Sequence, residues 1–261
     1  MPHDSKDGVD VLIRTFNSGR TLRDCLQSVV SCIPYRKILI ADHCSTDGTP
    51  EIAKEFGADV HTEDTGLGYA TKLLISLAET EYVLFVDSDV NVVSRSFMSE
   101  AIDKFKLRNT GAVVGCALGH EFLFGLPLGL TLFPLSVVKK IHIPEWVQGR
   151  ETFYFEELLD SMSLKVRYVR NAMTHTGVYR NYPFWPEWQG AQIRKTPSRR
   201  LRQLAGAWLV VLLMHLNSRS KKNFIYSPVY YSKLVRGFMN PDKWGKMDRR
   251  LVDNQLKGQP R

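Results

Sequence analysis

The stretch Glu81-Tyr-Val-Leu-Phe-Val-Asp-Ser-Asp-Val-Asn91 decides the fold. Residues 82–86 are all apolar or aromatic and show no helical period, which is typical of a strand buried on both faces of a parallel sheet. Asp87 and Asp89 follow at the strand's carboxyl end, the edge at which open α/β sheets bind ligands. Together with the amide of Asn91 they offer hard oxygen ligands for Mg²⁺ or Mn²⁺. The same Asp-Ser-Asp also fits a turn with a helix cap.

The chain around this stretch alternates between strand and helix patterns. Buried strands are predicted at 9–13, 37–41, 58–61, 111–117 and 165–169, and amphipathic helices at 22–29, 50–56 and 73–79. Such alternation predicts right-handed crossovers. The expected fold class is therefore α/β, with a mostly parallel sheet flanked by helices.

Four motifs within residues 9–91 resemble the nucleotide-binding half of family 2 glycosyltransferases, which have the GT-A fold. In order, they are Arg14-Thr-Phe-Asn17 after the first strand, the loop Asp42-His-Cys-Ser-Thr-Asp-Gly-Thr49, Gly66-Leu-Gly68 with Lys72, and Asp87-Ser-Asp89. The second motif is highly specific, because Ser-Thr-Asp-Gly-Thr is rarely met elsewhere. The chain departs from the usual family pattern at His43 and Cys44, where Asp and Gly are usual, and at Arg14, where Pro is usual. These changes leave the preference for the donor's base open.

The resemblance implies that these motifs bind a nucleotide-sugar donor and a divalent ion, Mn²⁺ or Mg²⁺. Asp42 would hydrogen-bond the base, while Asp87 and Asp89 would contact the ribose and the metal. Asn91 resembles the amide-bearing metal ligand of dolichyl-phosphate-mannose synthases. The predicted donor-binding residues are Thr15, Asn17, Asp42, Ser45, Asp47, Gly66, Lys72, Asp87 and Ser88, and the predicted metal ligands are Asp87, Asp89, Asn91 and His175.

An acidic pair marks the expected acceptor side. Glu156 and Glu157 precede a strand and His175, as the family's acid pair does, although Glu replaces the more common Asp at the second position. The resemblance makes Glu157 the catalytic base, with Glu156 as the other candidate, because a sugar hydroxyl that attacks an anomeric carbon must lose its proton. The alternative for the pair is a solvated helix start. A lone histidine such as His175 is more often structural than a ligand.

Charge is distributed unevenly along the chain. Hydrophobic residues make up 44% and charged residues 24%, which is ordinary for a globular protein. Of the net charge of +8, residues 194–261 carry +13 and residues 1–193 carry −5. We therefore predict a GT-A domain at 1–195 and a basic C-terminal extension at 196–261, which favours an anionic partner.

The extension has the composition of a membrane-associating segment. Residues 204–216 are mostly apolar and flanked by cations, too short for a comfortable span but suited to an interfacial helix. A helix packed on a neighbouring helix or a dimer partner is the alternative. Aromatic and basic interleaving beyond 220 also fits single-stranded nucleic acid, but no recognised nucleic-acid module precedes it, so no such partner is expected. The aromatic run 179–188, with two prolines, is predicted to be irregular.

The four cysteines show neither metal-type spacing nor a disulfide framework. Residues 1–10 are polar and lack a signal-peptide pattern, so we expect a cytoplasmic protein at the cytoplasmic face of the membrane.

The expected function is an inverting, metal-dependent transfer of a sugar from GDP-mannose or a UDP-hexose. The acceptor would be a lipid-linked glycan hydroxyl or a polyprenyl phosphate. The alternative is a non-catalytic nucleotide-binding protein that the basic tail recruits to membrane or nucleic acid. A nucleotidyltransferase is a third candidate, but its usual Gly-rich loop after the first strand is absent, since 14–20 contains only Gly19. Gly66-Leu-Gly68 lacks the third glycine of a dinucleotide fingerprint.

Overall fold

A computed structural model describes residues 8–117, 126–176, 185–196, 200–216 and 221–243. Contacts divide the chain into two units. The first comprises residues 1–122, 126–147 and 151–178, and the second comprises 123–125, 148–150 and 179–261. The sequence predicts a domain boundary after residue 195, which stays a prediction; the contacts assign the helix that ends at this residue to the second unit.

Strands of the first unit form two sheets. The strands are β1 (Val9–Thr15), β2 (Tyr35–Asp42), β3 (Asp59–Thr62), β4 (Tyr82–Asp87), β5 (Val90–Val92), β6 (Thr110–Gly115), β7 (Leu130–Pro134), β8 (Lys165–Val169) and β9 (Met173–His175). Within the described residues, the main sheet has the order β3-β2-β1-β4-β7-β6-β8, and β5 pairs with β9. β1 to β4 are parallel neighbours, as are β6 and β8, while β7 runs antiparallel to both β4 and β6. The predicted mostly parallel α/β sheet is confirmed.

Helices flank this sheet. They are α1 (Leu22–Cys32), α2 (Thr49–Glu55), α3 (Leu67–Leu77), α4 (Phe97–Phe105), α5 (Leu135–Val138) and α6 (Thr152–Ser161). α1 and α2 begin next to the first two motifs, because β1 and β2 each end shortly before a helix.

β4 lies between two hydrophobic cores. Leu84 and Val86 belong to one core cluster, and Val83 and Phe85 belong to the other. Successive side chains of a strand point to opposite faces, so this alternation places β4 in the middle of the fold. Burying one such side chain is worth about 1.5–3 kcal/mol. The strand that ends at Asp87 is thus held firmly from both faces.

Some local structure differs from the sequence-based expectation. β5 and β9 are only three residues each and have no clear pattern of their own. The apolar segment 122–138 is described from residue 126 onward, where it contains a buried strand and a short helix, and residues 122–125 lie outside the described residues.

From residue 185 onward, the described part of the second unit is mainly helical. It contains α7 (Trp185–Lys195), α8 (Arg200–Leu216), α9 (Lys221–Met239) and a 3₁₀ turn, Pro241–Lys243. The prediction of an irregular run at 179–188 is wrong for 185–188, because Pro186 stands in the first turn of α7, where proline is tolerated; residues 179–184 lie outside the described part. A Cβ on Gly190 would overlap the carbonyl oxygen of Leu234, so a glycine lets α7 approach α9 closely. Among the described helices, none combines the length and apolarity needed to cross a membrane.

Candidate active site

Two carboxylates and an imidazole meet where β4 ends. One ligand atom each from Asp87, Asp89 and His175 lies within 4.8 Å of the others. His175 reaches this place because β9 pairs with β5, opposite Val90, and its Nε2 is 3.4 Å from Asp89 Oδ1. The N–H and the hydroxyl of Thr176 both donate hydrogen bonds to the carbonyl oxygen of Asp89. These bonds fix the short loop between β4 and β5. Carboxylate and imidazole ligands together suit Mn²⁺, so these residues fit the predicted metal.

Asn91, the fourth predicted ligand, lies in the middle of β5 opposite Thr174. Its neighbours Val90 and Val92 are buried in the core, so its side chain lies on the other face of the strand. The Oδ1 atom of Asn91 is buried and has no hydrogen-bond partner among the described residues. Buried amide oxygens almost always have a partner, so this oxygen has hydrogen-bonding capacity that the described residues do not use.

Arg14 binds the first acid of the cluster. Its Nη2 lies 3.1 Å from Asp87 Oδ1, and its Nη1 lies 2.9 Å from Glu151 Oε1. Arg14 and Asp87 are register partners on the adjacent strands β1 and β4. The guanidinium also lies over the ring of Phe85, 5.7 Å from its centroid. The residue that replaces the family's usual proline is therefore built into the site.

The first two motifs form one hydrogen-bond network around Asp42. Thr15 and Ser45 donate their hydroxyls to Asp42 Oδ1 at 2.7 and 2.6 Å, and the Ser45 N–H donates to Oδ2 at 2.8 Å. The Asn17 N–H donates to Ser45 Oγ, and Asn17 Oδ1 accepts the N–H of Thr46. Four predicted donor-binding residues thus lie together, and Asp42 is fixed in orientation before any ligand arrives.

Asp47 and Ser88 connect the same loops. Asp47 Oδ2 accepts the N–H of Gly19 at 2.9 Å, and its Oδ1 accepts the hydroxyl of Thr49 at the start of α2. The hydroxyls of Ser18 and Ser88 are 2.8 Å apart. Asp47 therefore holds the β1 loop against α2, and Ser88 links that loop to the metal cluster.

A pair that the sequence did not point to lies beside Asp42. His43 Nδ1 is 2.6 Å from Glu63 Oε1, and both side chains are buried. Glu63 Oε2 accepts the N–H groups of Thr65 and Gly66, each at 2.8 Å. The predicted donor residue Gly66 is thus part of a turn that a buried carboxylate stabilises. The sequence feature that could have indicated this pair is an acidic residue, Glu63, directly after β3.

Lys72, a predicted donor contact, is engaged elsewhere in this structure. Its Nζ lies 2.7 Å from Glu145 Oε1, with both side chains about half exposed. The N–H groups of Gly68 and Tyr69, in the first turn of α3, donate to the carbonyl oxygens of Val147 and Glu145. The start of α3 is therefore bound to segment 143–147.

Glu156 and Glu157 lie half-buried on α6 and are not members of the three-residue metal group. The helix that carries them begins next to Glu151, its N-cap residue. Burial, and after it the charge of Glu157, raises the pKa of Tyr154. Through Glu151 and Arg14, the start of this helix is connected to Asp87.

Comparison with known proteins agrees with these motifs. Residues 10–125 match the family model described as glycosyl transferase family 2. This segment contains β1 to β6 and the first two metal-cluster acids, and it ends before α6 and His175.

Curated relatives share this segment. RfbJ of Shigella flexneri is 28% identical over 109 residues, which are 41% of this chain and 84% of that protein. A poly-beta-1,6-N-acetyl-D-glucosamine synthase of Staphylococcus epidermidis is 32% identical over 121 residues, 43% of this chain. In this synthase and five other relatives, the matching stretch spans only 13% to 35% of the relative's length.

Solved glycosyltransferases share the fold over most of the chain. The mannosyltransferase PcManGT from Pyrobaculum calidifontis, in complex with GDP-Man and Mn²⁺, has a TM-score of 0.66 at 14% identity, over 95% of this chain and 90% of that one. Glucosyl-3-phosphoglycerate synthase from Mycobacterium tuberculosis, in complex with Mn²⁺, UDP and glucosyl-3-phosphoglycerate, has a TM-score of 0.56 at 16% identity, over 81% and 80%. At these identities the likeness establishes the fold, and the GT-A class is confirmed.

Proposed function

We propose that the chain is an inverting, metal-dependent family 2 glycosyltransferase that takes a hexose from GDP-mannose or a UDP-sugar. The observation that carries the proposal is the grouping of Asp87, Asp89 and His175 at the carboxyl end of β4. It lies next to the Asp42 network, so metal ligands and a base-binding motif share one sheet edge. A non-catalytic nucleotide-binding protein would have no need of a metal cluster beside the base site.

The chain's own residues divide the chemistry between them. Asp87, Asp89, His175 and the amide of Asn91 would hold Mn²⁺ or Mg²⁺, which supplies positive charge against the leaving diphosphate. Asp42, fixed by Thr15 and Ser45, would accept a hydrogen bond from the donor's base. Glu157, on the acceptor helix, would take the proton from an attacking hydroxyl, and direct displacement would invert the anomeric carbon.

The donor is the part of the proposal that related structures support. PcManGT was solved with GDP-Man and Mn²⁺, and glucosyl-3-phosphoglycerate synthase with Mn²⁺ and UDP-glucose. Both kinds of donor therefore fit the fold. The amide at Asn91 favours the subtype that resembles dolichyl-phosphate-mannose synthases, and hence a mannosyl donor.

A lipid-linked acceptor is favoured by α8. Leu201, Ala205 and Trp208 are exposed and lie at i, i+4 and i+7, so they share one helix face, and Leu201 is 75% exposed. Arg202 lies exposed in the first turn. An apolar face with cations at its border suits the interface of an anionic membrane. This face supports our proposal of peripheral attachment at the cytoplasmic face, with a polyprenyl phosphate or lipid-linked glycan as acceptor.

The test is nucleotide release by the purified chain from a panel of UDP- and GDP-sugars, with Mn²⁺, with and without EDTA and lipid extract. We expect one donor to be turned over, with EDTA abolishing release and lipid stimulating it. Asp89→Asn should remove release, whereas Asp103→Asn, at an exposed acid on α4, should not. Nucleotide binding that ignores EDTA, without release from any donor, would favour the binding-protein alternative.

A further inference from the structure

Arg14 is a buried cation shared by two acids from separate elements. Its side chain is only 8% exposed, and Glu151 is 10% exposed, whereas Asp87 remains 42% exposed. A buried guanidinium is tolerated only when it is paired, because desolvating it is costly. Its Nη2 donates a hydrogen bond to Asp87 at the end of β4, and its Nη1 donates one to Glu151 at the N-cap of α6.

The pairing differs from that of an ordinary structural ion pair in the same sheet. Arg36 donates two parallel hydrogen bonds to Asp10, from Nε to Oδ1 at 2.9 Å and from Nη2 to Oδ2 at 2.8 Å. Asp10 is fully buried. Arg14 instead gives Asp87 one N–H, to Oδ1. Within the described residues, Oδ2 of Asp87 accepts no hydrogen bond, and the carboxylate faces solvent.

Arg14 therefore constrains only one of the two carboxylate oxygens of Asp87. The bond to Arg14 holds Oδ1 of the carboxylate in place, while its second oxygen stays available to a cation in the group with Asp89 and His175. Ligating carboxylates are generally oriented by such outer partners, whose loss changes metal affinity. A lysine could not substitute, because one ammonium lacks the planar fork that reaches both acids.

We propose that Arg14 is a positioning residue that orients Asp87 for the divalent cation and ties it, through Glu151, to the start of the helix carrying Glu156 and Glu157. The inference rests on the proposed function, since it assigns Arg14 a task within that metal site. It also accounts for the arginine where the family usually has proline. Donor-side metal binding and the acceptor helix are then joined by one guanidinium.

The test measures Mn²⁺ binding by the electron paramagnetic resonance signal of free Mn²⁺, without substrate, and separately measures kcat and KM for the donor. R14K retains the charge but loses the fork, and we expect it to weaken Mn²⁺ binding about tenfold and to lower kcat. E151Q, which removes the negative charge paired with Nη1 of Arg14, should shift Mn²⁺ affinity in the same direction. In the double variant the two effects should not add, because both act through one guanidinium.

R36K is the matched control, because it weakens a buried Arg–Asp pair in the same sheet on a strand end remote from the cluster. It should lower the melting temperature without changing Mn²⁺ affinity. If R14K and E151Q lower stability like R36K and leave Mn²⁺ affinity unchanged, Arg14 is structural and the inference is wrong, even where the native chain turns over donor. Should R14K not fold, E151Q alone decides the question.

The native chain separates this inference from the proposed function. Mn²⁺ binding that R14K and E151Q weaken, in a protein without turnover, would support the positioning role and contradict the glycosyltransferase. A native chain that binds no Mn²⁺ would overturn both.

Discussion

His43 Nδ1 lies 2.6 Å from Glu63 Oε1, and the two buried side chains join the loop after β2 to the turn before α3. Glu63 also accepts the N–H groups of Thr65 and Gly66. His43 stands directly after Asp42, where family 2 enzymes usually carry a second aspartate. The altered motif is therefore accompanied by a buried acid that pairs with His43, and this pair stabilises the loop that carries Asp42.

Glu63→Gln should destabilise the protein by about 1–3 kcal/mol, because a buried acceptor of three hydrogen bonds is replaced by a neutral group that offers one oxygen. Urea unfolding of both proteins measures the difference. Glu100→Gln, at an exposed residue that accepts from Ser96, should change the free energy of unfolding by no more than about 0.5 kcal/mol. Equal effects of the two substitutions would mean that the His43–Glu63 pair contributes nothing to stability.

The sequence predicts those features of the fold and the site that depend on residues close together in the chain. The strands of the first unit are long and buried, so their pattern is visible, and Asp42 and Asp87 are identified because they stand at strand ends. Contacts between residues distant in the chain were not predictable. Arg14 and Glu151 are 137 residues apart, and Lys72 and Glu145 are 73 apart. No local pattern specifies these pairs, since they depend on the loops that tertiary structure brings to one edge.

The position of His175 could not be predicted from the local sequence either. A lone histidine carries almost no signal, and the sequence favours a structural role for it. The three-residue strand β9, paired with β5, brings it to Asp89. Strands this short are below what periodicity can detect, so the likeness to the family, rather than the pattern, identified it as a candidate.

Asp10 should make stability depend on acidity. Burial by itself raises the pKa of Asp10, but the hydrogen bonds from Arg36 and from the N–H groups of Glu79 and Thr80 outweigh it and hold the pKa below its usual 3.8. A depressed pKa in the folded state stabilises the protein above the unfolded value, and this contribution is lost as the pH falls below about 3.8. The free energy of unfolding should therefore fall as the pH is lowered below about 4.

Asp10→Asn removes that titration. We expect its free energy of unfolding to be lower by about 2–3 kcal/mol near neutral pH, and to decline less steeply in acid than that of the native protein. Urea unfolding at a series of pH values measures both. An unchanged slope in the variant would show that other carboxylates cause the acid sensitivity.

Gly68→Ala should be strongly destabilising. A Cβ at this position would overlap the carbonyl oxygen of Pro144, which belongs to the segment that receives the N–H groups of the first turn of α3. Backbone has to move to make room, and such overpacking costs about 1–3 kcal/mol. Thermal unfolding measures the loss.

Gly129→Ala is the matched comparison. Its Cβ would meet only ordinary contacts of 3.5 Å or more, so the melting temperature should be nearly unchanged. A Gly68→Ala protein as stable as Gly129→Ala would contradict the close packing of α3 on segment 143–147.

Replacing each glutamate of α6 should identify the acceptor chemistry. Glu156 and Glu157 are consecutive and both half-buried, so each is the control for the other. If the acceptor is a hydroxyl, Glu157→Gln should lower kcat by about 10²–10⁴, the usual contribution of a general base, whereas Glu156→Gln should retain most activity. Nucleotide release in the presence of a lipid-linked glycan measures this.

A polyprenyl phosphate acceptor gives the opposite expectation. Its phosphate is already an anionic nucleophile, so no proton has to be removed and Glu157→Gln should keep kcat within about tenfold of the native value. A large loss with the glycan and a small loss with the phosphate would identify Glu157 as the base. A large loss only in Glu156→Gln would move that role to Glu156 and contradict the assignment made from the acid-pair pattern.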